Sequence, residues 1–346
     1  MYMADSKGGY FMTITAKELA KKLGISATAV SMALNNKPGV STETRHAIIK
    51  AAEMYGYDFT KLSLKYKPDG KICIILYTSN NAIISYDPIF NELTDGLLRS
   101  LKKENYNANV LNFYEKKDDI HSFLGNIRVS NYSGIILLGT ELPENIAKQF
   151  LSLHIPIVIL DSYFKCLDCN HILIDNYQGA YIATNYLITH RRQQPGLLKS
   201  SYSAHNFRER ELGFREAVKS NGMSPSCSII HEVAPSIEGA YHDMLELLDQ
   251  NISIADCYFA DNDLIAIGVM NALKSRGYSI PENVAIIGFD NILESVVSTP
   301  PLTTVNVSRI HMAEVAVKTL LDSIRTIVPY THKIQISTTL IERNSV

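Results

Sequence analysis

From Lys71 to about Ile287, this 346-residue chain repeats one rhythm: a short, nearly continuous apolar run, then a segment with helical spacing, then another apolar run. An apolar run without polar alternation suits a strand covered on both faces, and the helices between the runs supply the cover; this is the pattern of a parallel sheet. The runs are Ile72 to Tyr77, Ala108 to Asn112, Gly134 to Leu138, Ile157 to Leu160, Gly196 to Leu198, Ile229 to Glu232, Cys257 to Ala260 and Val284 to Ile287. Between them, Phe90 to Lys103, Gly179 to Thr189 and Leu264 to Ser275 have the length and periodicity of helices. The order predicts two doubly wound halves.

Length alone allows two or three units at roughly 100 to 200 residues each. With 46% apolar and 20% charged residues the composition is that of a globular protein, and no apolar run reaches the roughly 18 residues needed to span a membrane. Met1 to Met12 carries Asp5, Lys7 and two glycines and lacks the apolar segment of a secretory signal. Five cysteines (Cys73, Cys166, Cys169, Cys227, Cys257) are an odd and sparse set, which argues for free thiols and a cytoplasmic protein. The net charge of −2 hides an asymmetry. Thr13 to Lys67 holds nine basic against four acidic residues, whereas Pro68 onward holds 23 against 30. Only the small basic head is suited to approach a polyanion.

The head reads as three short helices. Thr15 with Glu18 three residues on forms a capping box, and Ala16, Leu19, Ala20 and Leu23 repeat at helical spacing until Gly24 ends the turn. Ser26 caps a second helix, Ala27 to Leu34, whose buried stripe is Val30 and Leu34, with Ala27, Thr28, Ser31 and Met32 on other faces. Asn35 to Gly39 is a loop, and Ser41 caps a third helix that runs to about Tyr55. A bare helix-turn-helix can also be a protein-binding bundle; the basic excess favours DNA.

Three stretches together resemble the LacI/GalR repressor headpiece: Ile14 to Ser26 with Ala29 to Asn35, then Lys37-Pro38-Gly39-Val40-Ser41 with Thr44-Arg45, then Ala51-Ala52-Glu53 with Gly56-Tyr57. The resemblance implies that the second helix enters the major groove, with Ala27, Thr28 and Met32 at the positions that read base edges. Most relatives carry arginine where Met32 stands. Methionine cannot fork onto guanine, so the resemblance implies a half-site read through apolar contact with thymine methyls. Thr15, Ser26, Ser31, Asn35, Thr44 and Tyr57 match positions that contact phosphate or hold the framework. The family hinge then places a wedge leucine in the minor groove. Here Asp58 to Lys67 departs from that pattern, and Tyr66 falls at the leucine position with three lysines nearby.

The remainder resembles the LacI/GalR sensor, itself similar to type I periplasmic binding proteins. The matching stretches are Ile174-Asp175-Asn176 with Gly179-Ala180, Arg208-Glu209-Arg210 with Gly213-Phe214, Asp261-Asn262-Asp263 with Ala266 and Gly268, Ile287-Gly288-Phe289-Asp290, and Pro301 to Val305. Asp161, Asn262 and Asp290 fall at strand ends and Arg210 in the early turn of a helix, and all four match ligand-contacting positions. Phe90 matches the apolar wall. Carboxylates and a guanidinium in fixed geometry suit a ligand with vicinal hydroxyls. The chain has no tryptophan, which leaves Phe90, Tyr86, Tyr163 or Phe207 to stack on a sugar ring. Asp175 is expected to cap its helix.

The expected molecule is an all-α helix-turn-helix headpiece joined to an α/β sensor of two parallel-sheet subdomains. Its boundaries are 12–57 for the headpiece, 58–70 for a linker and 71–346 for effector binding and dimerisation. The sensor divides into about 71–173 with 304–332, and about 174–303 with 333–346. The resemblance begins at Met12, which is compatible with an alternative start there. The function implied is a transcriptional regulator, a repressor, binding double-stranded operator DNA as a homodimer (or tetramer) under a small-molecule effector, a sugar or sugar derivative. No cofactor, metal or membrane partner is expected. A competing reading is a cytoplasmic solute-binding or protein-interaction module. An enzyme ranks third, because the sequence has no GxxxxGK[ST] loop, GxGxxG turn or GxSxG elbow. Cys166-Leu167-Asp168-Cys169 with His171 lacks a second ligand pair at metal spacing.

Overall fold

The computed structural model describes residues 14–34, 39–57, 70–79, 89–326 and 330–346. It divides the chain into two compact units, residues 1–69 with 320–331, and residues 70–319 with 332–346.

In the first unit, α1 (Ala16–Leu23), α2 (Ala27–Leu34) and α3 (Thr42–Met54) form the headpiece. The capping box is present: Glu18 N–H donates to Thr15 Oγ1, and the Glu18 carboxylate accepts from Thr15 N–H at 2.8 Å. Gly24 takes φ +67°, a left-handed conformation glycine adopts without steric cost, so α1 turns sharply into α2. Ser26 Oγ accepts from Ala29 N–H at 3.1 Å and Ser41 Oγ from Thr44 N–H at 3.2 Å, which starts the other two helices as expected. Leu19, Val30, Ala33, Leu34, Ile48 and Ala52 form the core, so each helix buries one stripe against the other two.

The second unit begins with β1 (Lys71–Thr78), α4 (Ile89–Lys103), β2 (Asn107–Tyr114), α5 (Ile120–Val129), β3 (Gly134–Leu138), α6 (Glu144–Leu151), β4 (Ile157–Leu160) and β5 (Asn170–Ile174). It continues with α7 (Asn176–Arg191), β6 (Gly196–Ser200), α8 (His205–Ser220), β7 (Ile230–Val233), α9 (Ile237–Asp249), β8 (Cys257–Ala260), α10 (Asp263–Ser275), β9 (Ala285–Asp290), α11 (Leu293–Val297) and β10 (Thr303–Asn306). After α12 (Arg309–Arg325) come β11 (Lys333–Ile336) and β12 (Thr339–Ile341). Two six-stranded sheets result, ordered β11-β5-β4-β3-β1-β2 and β12-β10-β9-β8-β6-β7. Every pairing is parallel except β10 with β12. The two sheets define two lobes.

The lobe boundaries differ from the sequence-based division. β10 pairs with β9, Thr303 opposite Ile287, and so belongs to the second lobe, while β11 pairs with β5, Lys333 opposite His171, and belongs to the first. The chain therefore passes between lobes three times: after β5, after β10, and between β11 and β12. Helix packing fixes the lobes internally. A Cβ at Gly213 would collide with the Tyr177 carbonyl, so α7 and α8 approach closely only because that position is glycine. At Gly96 the near neighbour is Ala313 Cβ, which seats the start of α12 on α4 in the first lobe. Among the described residues, no helix is long and apolar enough to cross a membrane.

Candidate functional site

The polar residues singled out in the sensor converge. Asp161 follows β4, Asn262 follows β8 and caps α10, Asp290 ends β9, and Arg210 comes from the second turn of α8. All four line one cleft between the lobes, with an empty volume of about 580 Å³ that includes its open mouth. The cleft lies at the carboxyl ends of strands from both sheets, where open α/β sheets hold ligands.

Arg210 is the hub and is only 4% exposed. Its Nε donates to Asn176 Oδ1 at 2.8 Å, one Nη donates to the Asp261 carbonyl, and the other Nη donates to Asp290 Oδ1 at 3.2 Å. The guanidinium plane lies 3.7 Å from the centre of the Phe289 ring. A guanidinium so anchored loses little freedom when a ligand arrives, because its conformation is already selected. Burial pushes the Asp290 carboxyl above the usual carboxylate range, and Arg210 and Arg309 oppose the shift. Beneath it, Asp261 is pushed up to about 7 by burial, against a hydrogen bond from Ser200 N–H at 2.8 Å.

Asp161 faces the cleft from the first lobe. Desolvation pushes its carboxyl up to about 6, while hydrogen bonds from Thr140 Oγ1 at 2.5 Å and Asn206 Nδ2 at 2.9 Å pull the other way. The Asn206 bond spans the lobes, since Asn206 sits on α8. Asp161 and Asp290 both have positive φ, +61° and +107°. Backbone held there by non-glycine residues costs of order 1–3 kcal/mol and is tolerated where surrounding bonds impose it. Asn262 uses its Oδ1 to cap α10, accepting from Ile265 N–H at 2.9 Å, which leaves its amide NH2 as the group available to the cleft.

The sequence reading did not single out Thr140, Asn206 or Arg309, all of which line the cleft. Arg309 opens α12, 7% exposed; one Nη donates to Glu92 Oε2 at 3.0 Å and the other to the Asp290 carbonyl. Asn206 Oδ1 and Arg309 Nε are buried with no hydrogen-bond partner among the described residues. The apolar lining is Leu93, Ile174, Phe207, Val307 and Met312. Of the proposed stacking rings, Phe207 lines the cleft, whereas Tyr163 lies between the His171 and His205 rings at 5.6 and 5.5 Å. Tyr86 lies outside the described residues. Phe90 falls within α4, but its side chain is also outside them. Asp175 caps α7, accepting from Gln178 N–H at 3.0 Å.

In the head, Ala27, Thr28 and Ser31 are exposed on α2 and Met32 is half-buried, its methyl group lying over Gly39. Thr15, Ser26 and Thr44 are exposed as well as engaged in caps, and Tyr57 is half-buried. Asn35 and Tyr66 lie outside the described residues. Cys169 Sγ lies 3.2 Å from His171 Nε2, and burial pushes the thiol up to about 11. Among the described residues no group of three or more His, Cys, Asp or Glu side chains gathers as a metal site would require.

Comparison with known proteins agrees with both halves. The family described as "Bacterial regulatory proteins, lacI family" matches residues 15–58, and "Periplasmic binding protein-like domain" matches residues 184–346. The HTH-type transcriptional repressor PurR of Edwardsiella ictaluri is 27% identical over 335 residues, covering 96% of each chain. Among solved structures, a complex of the transcriptional regulator CelR with cellobiose has a TM-score of 0.72 at 22% identity, covering 96% of this chain and 100% of that one. The lac repressor dimer bound to operator and the anti-inducer ONPF has a TM-score of 0.69 at 19% identity, covering 96% and 99%. The chain belongs to the LacI/GalR family of transcriptional regulators, with a helix-turn-helix headpiece and a periplasmic-binding-protein-like sensor.

Proposed function

We propose that the chain acts as a homodimer that binds a palindromic operator through α2 of each copy. Affinity is set by a sugar or sugar derivative held between the sensor lobes. Residues 12–57 read DNA, 58–70 connect, and 71–346 sense and dimerise. The observation that carries this reading is the Arg210–Asp290 network lining an open cleft, in a chain whose head leaves the first turn of α2 exposed.

Asp161, Arg210, Asn262 and Asp290 take the ligand hydroxyls. Thr28 and Met32 face bases, Ser26, Ser31, Thr44 and Tyr57 steady the head, and Phe90, Asn35 and Tyr66 are assigned to wall, phosphate and hinge contacts by the family likeness. One head offers few contacts, and two related by a dyad match half-sites about one helical turn apart, or a multiple of it. A surface suited to the second copy is α11, where Leu293, Val296 and Val297 are exposed at 73%, 49% and 72%.

The test is selection from randomised duplexes by the full-length chain. Enrichment of a palindrome, with binding that weakens steeply as salt rises, supports the reading. Recovery of no sequence above the input overturns it.

A further inference from the structure

We propose that Arg309 is an effector-contacting residue that selects an uncharged, hydroxyl-rich molecule, and that it ties the ligand to both lobes at once. The inference rests on the effector reading above and adds to it a residue outside the four matched positions.

Arg309 stands three residues beyond β10, just past one of the three passages between lobes. Its helix is seated on α4 of the first lobe, where Ala313 meets Gly96. One Nη is held by Glu92 on that same α4, and the other reaches the main-chain carbonyl of Asp290 at the end of β9 in the second lobe. A single guanidinium therefore bridges the lobes. Asp290 is shared between two arginines, its carboxylate with Arg210 and its carbonyl with Arg309.

Both Nη groups are committed, and Nε has no acceptor although the side chain is more than nine-tenths buried and lines the cleft. A buried donor of this kind is costly until it meets an oxygen. The structure leaves that oxygen to the ligand. Asn206 Oδ1, on α8 of the second lobe, is the complementary vacancy, an acceptor without a donor. A hydroxyl can serve either role.

Charge decides between neutral and acidic ligands. The two guanidiniums are already faced by the carboxylates of Asp290, Asp161 and Glu92, with Asp261 and Asp263 buried behind them. Another anion would enter a site with its cations already compensated, so the ligand is neutral.

The experiment measures thermal stabilisation and calorimetric Kd of the full-length chain with D-ribose, D-glucose and cellobiose, and with D-gluconate and D-glucuronate. For the neutral sugar that binds best, Arg309→Lys, which keeps a cation beside Asp290 but removes the guanidinium fork, is expected to weaken binding at least tenfold. The unliganded melting temperature of that variant should stay within a few degrees of the parent. Glu92→Gln, which touches Arg309 and not the ligand, is expected to weaken binding about two- to fivefold. Unchanged affinity in Arg309→Lys overturns the proposal, as does stabilisation by the acidic probes alone. If none of the five compounds binds while a palindrome is still selected, the sugar reading falls and this inference with it, and the DNA-binding reading stands.

Discussion

The headpiece and the sensor hold their functional side chains in opposite ways. In the head the polar groups near the reading face are exposed, and the bonds that position them are local: Thr15 with Glu18, Ser26 with Ala29, Ser41 with Thr44. In the sensor they are buried, and their partners are remote in sequence. Arg210 draws on Asn176, Asp261 and Asp290, and Arg309 on Glu92 and Asp290. The difference follows from the two kinds of ligand. A duplex presents a rigid groove that a convex helix can enter, so the reading face needs shape more than enclosure. A small polar molecule must be surrounded, and the groups that replace its water have to be fixed in advance at a cost to the fold.

The contrast is broken most severely at Arg210. Replacing it with Met strands the Asn176 amide oxygen, the Asp261 carbonyl and the Asp290 carboxylate. Removing one member of a buried pair costs about 3–5 kcal/mol. Chemical denaturation should show that loss in the sensor transition, with the head unaffected and every sugar-induced stabilisation gone.

A second effect is seen against pH. The Asp161 carboxyl is held near 6 in the folded chain, above its ordinary value of 3.8, so the folded state keeps a proton that the unfolded state has released. The stability this confers is present in full below about pH 4, is lost as pH rises to about 6, and is then constant. Two pKa units correspond to about 3 kcal/mol. Asp161→Asn should flatten the fall by an amount of that order in melts taken between pH 4 and 7; an unchanged slope places the proton elsewhere, with Asp261 the next carboxylate to replace. No comparable effect is expected from the head, where the Glu18 carboxyl is lowered by its bonds to Thr15.

The smallest effect is one of specificity. Met32→Arg installs a side chain able to fork onto guanine, worth about 1–3 kcal/mol of discrimination at one base pair. Binding-site selection with this variant should shift preference toward guanine at one position of each half-site and leave the sensor melt unchanged. An identical site from both proteins removes Met32 from the reading face.

The same contrast explains what the sequence made legible. Caps and helices of the head are written in residues three or four apart, and all three helices stand where the spacing puts them. The apolar runs likewise foretell eight strands, β3, β4 and β8 to the residue. Strands whose burial is not apolar escaped notice. β10 is Thr303-Thr304-Val305-Asn306, and its two threonines are fully buried because Thr304 Oγ1 bonds Asp263 and Thr303 N–H bonds Ser345. β11 joins β5 across some 160 residues of chain, a pairing no local pattern announces, and missing it misplaced the lobe boundary. In the cleft, the four strand-end or helix residues were found by family likeness and the ends of apolar runs. Arg309, Asn206 and Thr140 were not, because each becomes polar lining only through partners in the other lobe or in a neighbouring loop.

The central claim is that occupancy of the cleft sets affinity for DNA. Its most direct test is fluorescence anisotropy of the selected palindrome with the full-length chain, titrated at fixed salt with and without saturating neutral sugar. A coupling of about 1–3 kcal/mol predicts a 5- to 150-fold change in Kd, in either direction. A sugar that demonstrably fills the cleft and leaves Kd unchanged contradicts the account.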